Sequence, residues 1–222
     1  MKKLIYLITI TLAGCSIDNY DMPSLTVTGK IVDAGTSNLV ESGGINGGTI
    51  VRFYENNSTQ PLLYKTKPDG NFINEAVFPG NYSYTAEGPF RLSDATPKTV
   101  TVSSNTSVEI PVVPYLRLKT TVMSVDGAAA QVKIEYQKVN DEDVFTSLGL
   151  VYSTYPNPNA FTTVGGAVVL ENVSGQGLTS GEKIITVTGL SAGKKYYFRA
   201  AGNVVNPGNY FNYSSQVEAE IR

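Results

Sequence analysis

Leu25-Thr26-Val27-Thr28-Gly29-Lys30-Ile31-Val32-Asp33 sets Leu25, Val27, Gly29 and Ile31 against Thr26, Thr28 and Lys30. A period of two is the mark of a strand with one face buried. The alternation returns at Thr49 to Tyr54, where Val51 and Phe53 stand against Arg52 and Tyr54. Between the β-rich runs lie Gly43-Gly44, Gly47-Gly48, Pro68-Asp69-Gly70, Pro79-Gly80 and Gly88-Pro89, which supply turn conformations. Short strands punctuated in this way predict an antiparallel β-sandwich.

Further strands are expected at Leu62 to Thr66, Asn81 to Glu87, Lys98 to Val102 and Val108 to Val112. Pro111 and Pro114 close this unit near Tyr115, because proline has no N–H to give to a ladder. The second half predicts strands at Leu116 to Val125, Gln131 to Lys138, Leu148 to Ser153, Val164 to Leu170, Lys183 to Val187, Tyr196 to Val204 and Tyr213 to Ile221. Asp126-Gly127 reads as a hairpin turn, and two prolines keep Tyr155-Pro156-Asn157-Pro158-Asn159 out of any central strand. No helix beyond a turn is expected. The fold class is all-β, with two tandem antiparallel β-sandwiches over 25–115 and 116–222.

Upstream, Lys2 and Lys3 precede an apolar run from Leu4 to Leu12 and then Ala13-Gly14-Cys15, the pattern of a bacterial lipoprotein signal peptide. The run is too short to span a bilayer. Residues 1–14 are expected to be cleaved, leaving Cys15 as the lipid-bearing first residue and 15–24 as a lipidated, polar tether. Several acyl chains, at about 0.8 kcal/mol per buried methylene, hold a protein on a membrane that one chain holds only marginally. An ordinary secretory signal with an incidental cysteine is the weaker reading, since small residues must precede a lipidated cysteine and here they do.

The chain has 222 residues, a formal net charge of −2, no histidine and one cysteine. Removing Lys2 and Lys3 makes it more acidic, and no basic stripe marks either half, so nucleic acid is not an expected partner. Without histidine or a free thiol there are no residues for Ser-His-Asp triads, Cys-His dyads or zinc held by histidine or cysteine. A glycosidase needs only two carboxylates about 5 to 9 Å apart, but no motif singles out a pair. No enzymatic activity, cofactor or metal is expected.

Two polar runs have bland readings. Ser42-Gly43-Gly44-Ile45-Asn46-Gly47-Gly48 precedes a strand instead of opening a helix, and no lysine follows in phosphate-loop spacing, so it reads as a flexible loop. Asp141-Glu142-Asp143 offers oxygen ligands for calcium, but neither a glycine nor a further acid continues a calcium-loop pattern. A solvated loop is the better reading.

Val27-Thr28-Gly29-Lys30-Ile31-Val32-Asp33, with Asp69-Gly70-Asn71-Phe72 and Pro79-Gly80-Asn81-Tyr82, resembles the carboxypeptidase-regulatory-like, transthyretin-type β-sandwich. That likeness implies a fold and no activity. Gly189-Leu190-Ser191-Ala192-Gly193-Lys194-Lys195-Tyr196-Tyr197-Phe198-Arg199-Ala200 resembles the corner between the fifth and sixth strands of fibronectin type III domains. The likeness implies that Leu190 plugs the core, Tyr196 bonds back to the preceding turn, and Phe198 and Ala200 point inward. The chain has no tryptophan, so Ile134 or Tyr136 takes the place of that family's core aromatic.

From Cys15 to Arg222 the chain resembles an uncharacterised family of two-domain Bacteroidetes lipoproteins. The likeness rests on Asp18-Asn19-Tyr20-Asp21, Gly47-Gly48-Thr49, Glu87-Gly88-Pro89-Phe90, Pro114-Tyr115-Leu116-Arg117, Tyr196-Tyr197-Phe198-Arg199 and Asn212-Tyr213-Ser214, in that order. It implies an outer-membrane lipoprotein, accessory to or binding glycan for a polysaccharide-uptake system of the starch-utilisation type. Transporter components and glycan are the implied partners, beside the membrane itself. Acidic Asp18 and Asp21 behind the anchor favour the cell surface, with a periplasmic orientation left open. The alternative is a structural spacer or docking subunit with no small ligand.

Tyrosine is the abundant aromatic, with 14 copies against 8 phenylalanines. Tyr82, Tyr84, Tyr196 and Phe198 alternate in strands and read as packing. Tyr155, Phe161, Tyr210 and Phe211 flank loops containing proline or glycine and are the candidate ligand-binding residues, since an aromatic face can stack on a sugar ring. A fibronectin-like order turns the loops Asn140 to Val144 and Val205 to Tyr210 toward the first sandwich, with a cleft there, and places Tyr155 to Asn159 at the opposite end.

Overall fold

The computed structural model describes residues 21–222 apart from 45–46, 57, 94–98 and 162–163. The expected signal peptide, Cys15 and most of the expected tether lie outside the described residues. No described helix is long and apolar enough to cross a membrane.

The first half forms β1 (Leu25–Asp33), β2 (Ile50–Glu55), β3 (Leu62–Lys65), β4 (Asn71–Val77), β5 (Gly80–Glu87), β6 (Phe90–Leu92), β7 (Thr99–Val102) and β8 (Thr106–Pro114). They make two sheets, β4-β1-β8-β6 and β3-β2-β5-β7. The inward positions of β1 and β2, Val27, Ile31, Val51 and Phe53, meet Tyr64, Phe72, Tyr82 and Tyr84 in one core. Phe53 is its centre, with four aromatic rings at centroid distances of 5.0, 6.3, 6.2 and 5.2 Å. Such edge-on and offset pairs add to the burial of area.

The second half forms β9 (Leu116–Asp126), β10 (Ala129–Lys138), β11 (Phe145–Ser153), β12 (Gly166–Asn172), β13 (Ser180–Val187), β14 (Lys195–Val204), β15 (Phe211–Tyr213) and β16 (Val217–Glu220). The sheets are β13-β10-β9 and β12-β11-β14-β15, with β16 also paired to β14. Between them Ile134, Leu150, Leu190, Phe198, Ala200 and Ile221 are packed out of water. The Tyr196 hydroxyl accepts a hydrogen bond from the Ser191 amide at 3.2 Å. Ile134 is fully buried and Tyr136 only partly so, which gives Ile134 the core position.

The structure departs from the sequence reading in several strands. β1 and β8 run parallel, from Val27 opposite Thr106 to Asp33 opposite Val112, so the first sandwich is not purely antiparallel. Pro111 lies inside β8 instead of ending it. Its carbonyl accepts from the Ser93 amide at 3.4 Å, and as it has no N–H to return, the ladder with β6 stops at Leu92. β4 and β6 were not expected: β4 is an edge strand whose polar positions hide the period of two, and β6 has three residues. The stretch from Tyr213 to Ile221 is two strands: the Ser214 amide still donates to Ala200 O at 3.1 Å, but the Ala200 amide turns to Thr120 Oγ1 at 2.7 Å and Ser214 Oγ at 3.0 Å instead of returning a ladder bond.

Tyr115 alone separates β8 from β9, so the sandwiches abut. Its ring is buried and carries the Arg91 guanidinium at 4.7 Å from the centroid.

Candidate functional site

Strand alternation sends Phe198 and Ala200 of β14 into the core and therefore Arg199 to the other face of the sheet. That face is covered: Arg199 is fully buried. Its Nε donates to Ser214 O at 2.9 Å, Nη2 donates to Glu41 Oε2 at 2.7 Å, and Nη1 reaches Pro158 O and Ser42 O at 3.4 Å. The guanidinium also lies 4.5 Å from the centroid of the Tyr213 ring. A buried charge is tolerated only when paired and hydrogen-bonded. Here the first sandwich supplies the carboxylate.

Two more pairs cross the seam. Arg117 of β9 grips Asp33 of β1 with Nε to Oδ2 at 2.6 Å and Nη2 to Oδ1 at 3.0 Å. Burial pushes the Asp33 carboxyl up, but Arg117, the Gly35 amide and the Thr36 hydroxyl outweigh it and hold the carboxyl below its ordinary value. Arg91 takes Asp143 through both terminal nitrogens, one of them at 2.9 Å. Asn212 completes the joint, donating to Pro89 O at 2.9 Å while accepting from the Leu116 amide.

The four candidate aromatics fall into different surroundings. Tyr155 is 61% exposed and Phe161 50% exposed, both in the loop between β11 and β12. Phe211 is buried, its ring 5.8 Å from that of Phe161 in an edge-to-face pair. Tyr210 is half-buried at the seam, its hydroxyl near the Glu87 carboxylate that pairs with Arg52. Tyr155 and Phe161 are accessible, Phe211 supports Phe161, and Tyr210 belongs to the joint.

The Tyr155 to Asn159 loop does not lie at the far end of the molecule. Pro158 touches Arg199, and a Cβ on Gly47 would fall 2.4 Å from the Phe161 ring. The reason lies in the described glycines of the run before β2. Ser42, Gly43, Gly44 and Gly48 are buried, and a Cβ on Gly48 would fall 1.8 Å from Gly44 O. The small residues let this segment press against the second sandwich. The Asn140 to Val144 loop does face the first sandwich, through Asp143. Asp143 is thereby spent on Arg91, and among the described residues no group of three acids, histidines or cysteines is placed to hold a metal.

A groove of about 610 Å³ runs along the seam between residues 33–41 and the start of β9 with the β15–β16 turn. Nothing local in the sequence marks it, because its walls are about 80 and 180 residues apart in the chain.

No protein-family model matches the sequence, and no curated protein does. Solved structures do. The chain matches a DUF3823 family protein from Bacteroides uniformis at 22% identity with a TM-score of 0.76, over 90% of this chain and 100% of the other. The fold is the one adopted by DUF3823 family proteins. A second member, from Parabacteroides merdae, matches at 18% identity and TM-score 0.71, over 90% of this chain and all of its own. A protein from Bacteroides uniformis described as a "putative carbohydrate binding protein" matches at 20% identity and TM-score 0.72 with the same coverage.

Proposed function

We propose that this chain is a non-enzymatic, lipid-anchored carbohydrate-binding protein of the DUF3823 type, held on the outer membrane through Cys15 as an accessory to polysaccharide uptake. The observation that carries the reading is the pairing of exposure with rigidity at Tyr155 and Phe161. Ser153 Oγ donates to Val164 O at 2.6 Å, the Asn157 amide to Gln216 at 2.7 Å, the Ala160 amide to the Tyr213 hydroxyl at 3.0 Å, and the Phe161 amide to Asn159 at 2.8 Å. Aromatic rings held in water on a fixed backbone can meet a sugar face with little ordering cost. The carbohydrate-binding description of one structural neighbour supports the ligand class. The buried carboxylates are committed to arginines instead of poised as acid and base.

The test is binding of the chain from Ser16 onward to a panel of dietary and host polysaccharides. Tyr155→Ala and Phe161→Ala lower binding at least tenfold if the reading holds, while Tyr210→Phe leaves it unchanged. No binding to any glycan would favour a second reading, a spacer or docking subunit, which the directly abutting and ion-paired sandwiches also suit.

A further inference from the structure

We infer that the seam between the sandwiches is a preformed cleft for a neutral, linear oligosaccharide, leading to the loop that carries Tyr155 and Phe161. The inference rests on the carbohydrate-binding reading above and names the site and class of ligand. The groove of about 610 Å³ shares Glu41 and Ser215 with a second recess of about 390 Å³, which continues past Lys67 and Asp69 to Asn157. Asn157 lies two residues beyond Tyr155, so the track ends at the loop that carries the exposed aromatics. A cleft at a domain interface of this size suits a small ligand, and a track that continues beyond it suits a chain.

The walls are set before any ligand arrives. Asp33 and Arg117 tie the sandwiches together on the groove lining, and Glu41, also on the lining, ties them again through Arg199. A cleft pinned in this way has little ordering cost to meet on binding. Leu39, 41% exposed, and Leu118 add apolar surface to a mainly polar lining, which suits the C–H face of a sugar. Among the described residues the side chains of Ser37, Asn38 and Ser215 have no hydrogen-bond partner in the protein, and Glu41 uses only Oε2. These groups donate and accept, as vicinal hydroxyls require.

Charge decides against an acidic ligand. Both arginines near the groove are neutralised, Arg117 by Asp33 and Arg199 by Glu41, so among the described residues no unspent cation lines it. In the second recess, with Glu41 committed to Arg199, Lys67 and Asp69 leave one charge of each sign.

The experiment is a titration of the ¹⁵N-labelled chain from Ser16 onward with malto-, xylo- and manno-hexaoses, and with oligogalacturonate as the acidic counterpart, followed by amide chemical shifts. The expected result is shifts at Ser37, Asn38, Glu41, Leu118 and Ser215 with at least one neutral sugar, and weakening of at least tenfold in Ser215→Trp, which fills the shared wall. Ser215 and Asn38 are exposed, so a thermal melt should show Ser215→Trp and the milder Asn38→Ala folded. Shifts confined to the loop around Tyr155 and Phe161, with undiminished binding in both variants, would overturn the cleft and leave the binding function standing. Preference for oligogalacturonate at the groove would overturn the neutral class. Absence of shifts with every sugar would overturn the cleft and the carbohydrate reading together.

Discussion

Arg199, in the middle of β14, and Glu41, in the segment after β1, are 158 residues apart in sequence and joined by a 2.7 Å ion pair that closes the seam between the two sandwiches. Burial lowers the affinity of the guanidinium for its proton, the Glu41 charge opposes that, and arginine keeps its charge at any ordinary pH. Everything around Arg199 is an acceptor, so the site works only while the charge is present.

Arg199→Met strands the Glu41 carboxylate and the carbonyls of Ser214 and Pro158. Breaking one side of a buried pair costs about 3–5 kcal/mol. A urea midpoint well below that of the wild type is the expected outcome; an unchanged midpoint would mean that the seam contributes nothing to stability.

Asp33 gives the seam a pH dependence. Its folded carboxyl ionises below the ordinary value of 3.8, so its contribution is present above that value and is lost as pH falls through the lower folded value. Asp33→Asn should lose about 1–3 kcal/mol at neutral pH, the scale of hydrogen bonds to a charged group. The gap between variant and wild type should close below about pH 4 in unfolding curves recorded from pH 7 to pH 2.

Tyr82 is one of several buried tyrosines that tie stability to alkaline pH. Burial, the charge of Glu55 and the neighbouring Tyr64 push its hydroxyl up to about 12, against a bond to Phe78 O at 3.0 Å. A raised folded value means stability that is complete below the unfolded tyrosine value of about 10 and is lost as pH rises toward the folded one. Ultraviolet titration should show one tyrosine ionising near 12, or together with unfolding, and Tyr82→Phe should remove that step.

Gly48→Ala tests the close approach that seats the glycine run. The new methyl would meet the backbone carbonyl of Gly44 at 1.8 Å, where no side-chain rotation gives relief. Overpacking of this sort costs about 1–3 kcal/mol. A thermal midpoint within error of the wild type would show that the backbone at Gly44 can shift to make room for the methyl.

Strand alternation was legible in the sequence because each inward residue, such as Val27, Phe53, Ile134 or Phe198, is apolar and its neighbours are not. The corner at Tyr196 was legible for the same local reason, since the hydroxyl reaches Ser191 only five residues away. β4 escaped because an edge strand can expose one face and much of the other, and only Phe72 and Val77 of its residues are buried. Of the candidate aromatics, Tyr155 and Phe161 are at the surface, whereas Tyr210 was drawn into the joint by Glu87 and Phe211 was covered by Phe161. Polarity and loop position cannot tell these cases apart. Arg199 left one sign that could be read locally, a charged residue flanked by Phe198 and two alanines in a strand otherwise bound for burial.

By itself the sequence determined the all-β class, most of the strands and the lack of histidine chemistry, because those follow from residue type and spacing within a few positions of one another. Tertiary structure alone decided the parallel pairing of β1 with β8, the burial of Gly43, Gly44 and Gly48, the three arginine–carboxylate pairs across the seam and the groove beside Asp33 and Glu41. Each of these joins residues far apart in the chain, and whether a charge is paired or a ring exposed depends on which distant surface comes to cover it.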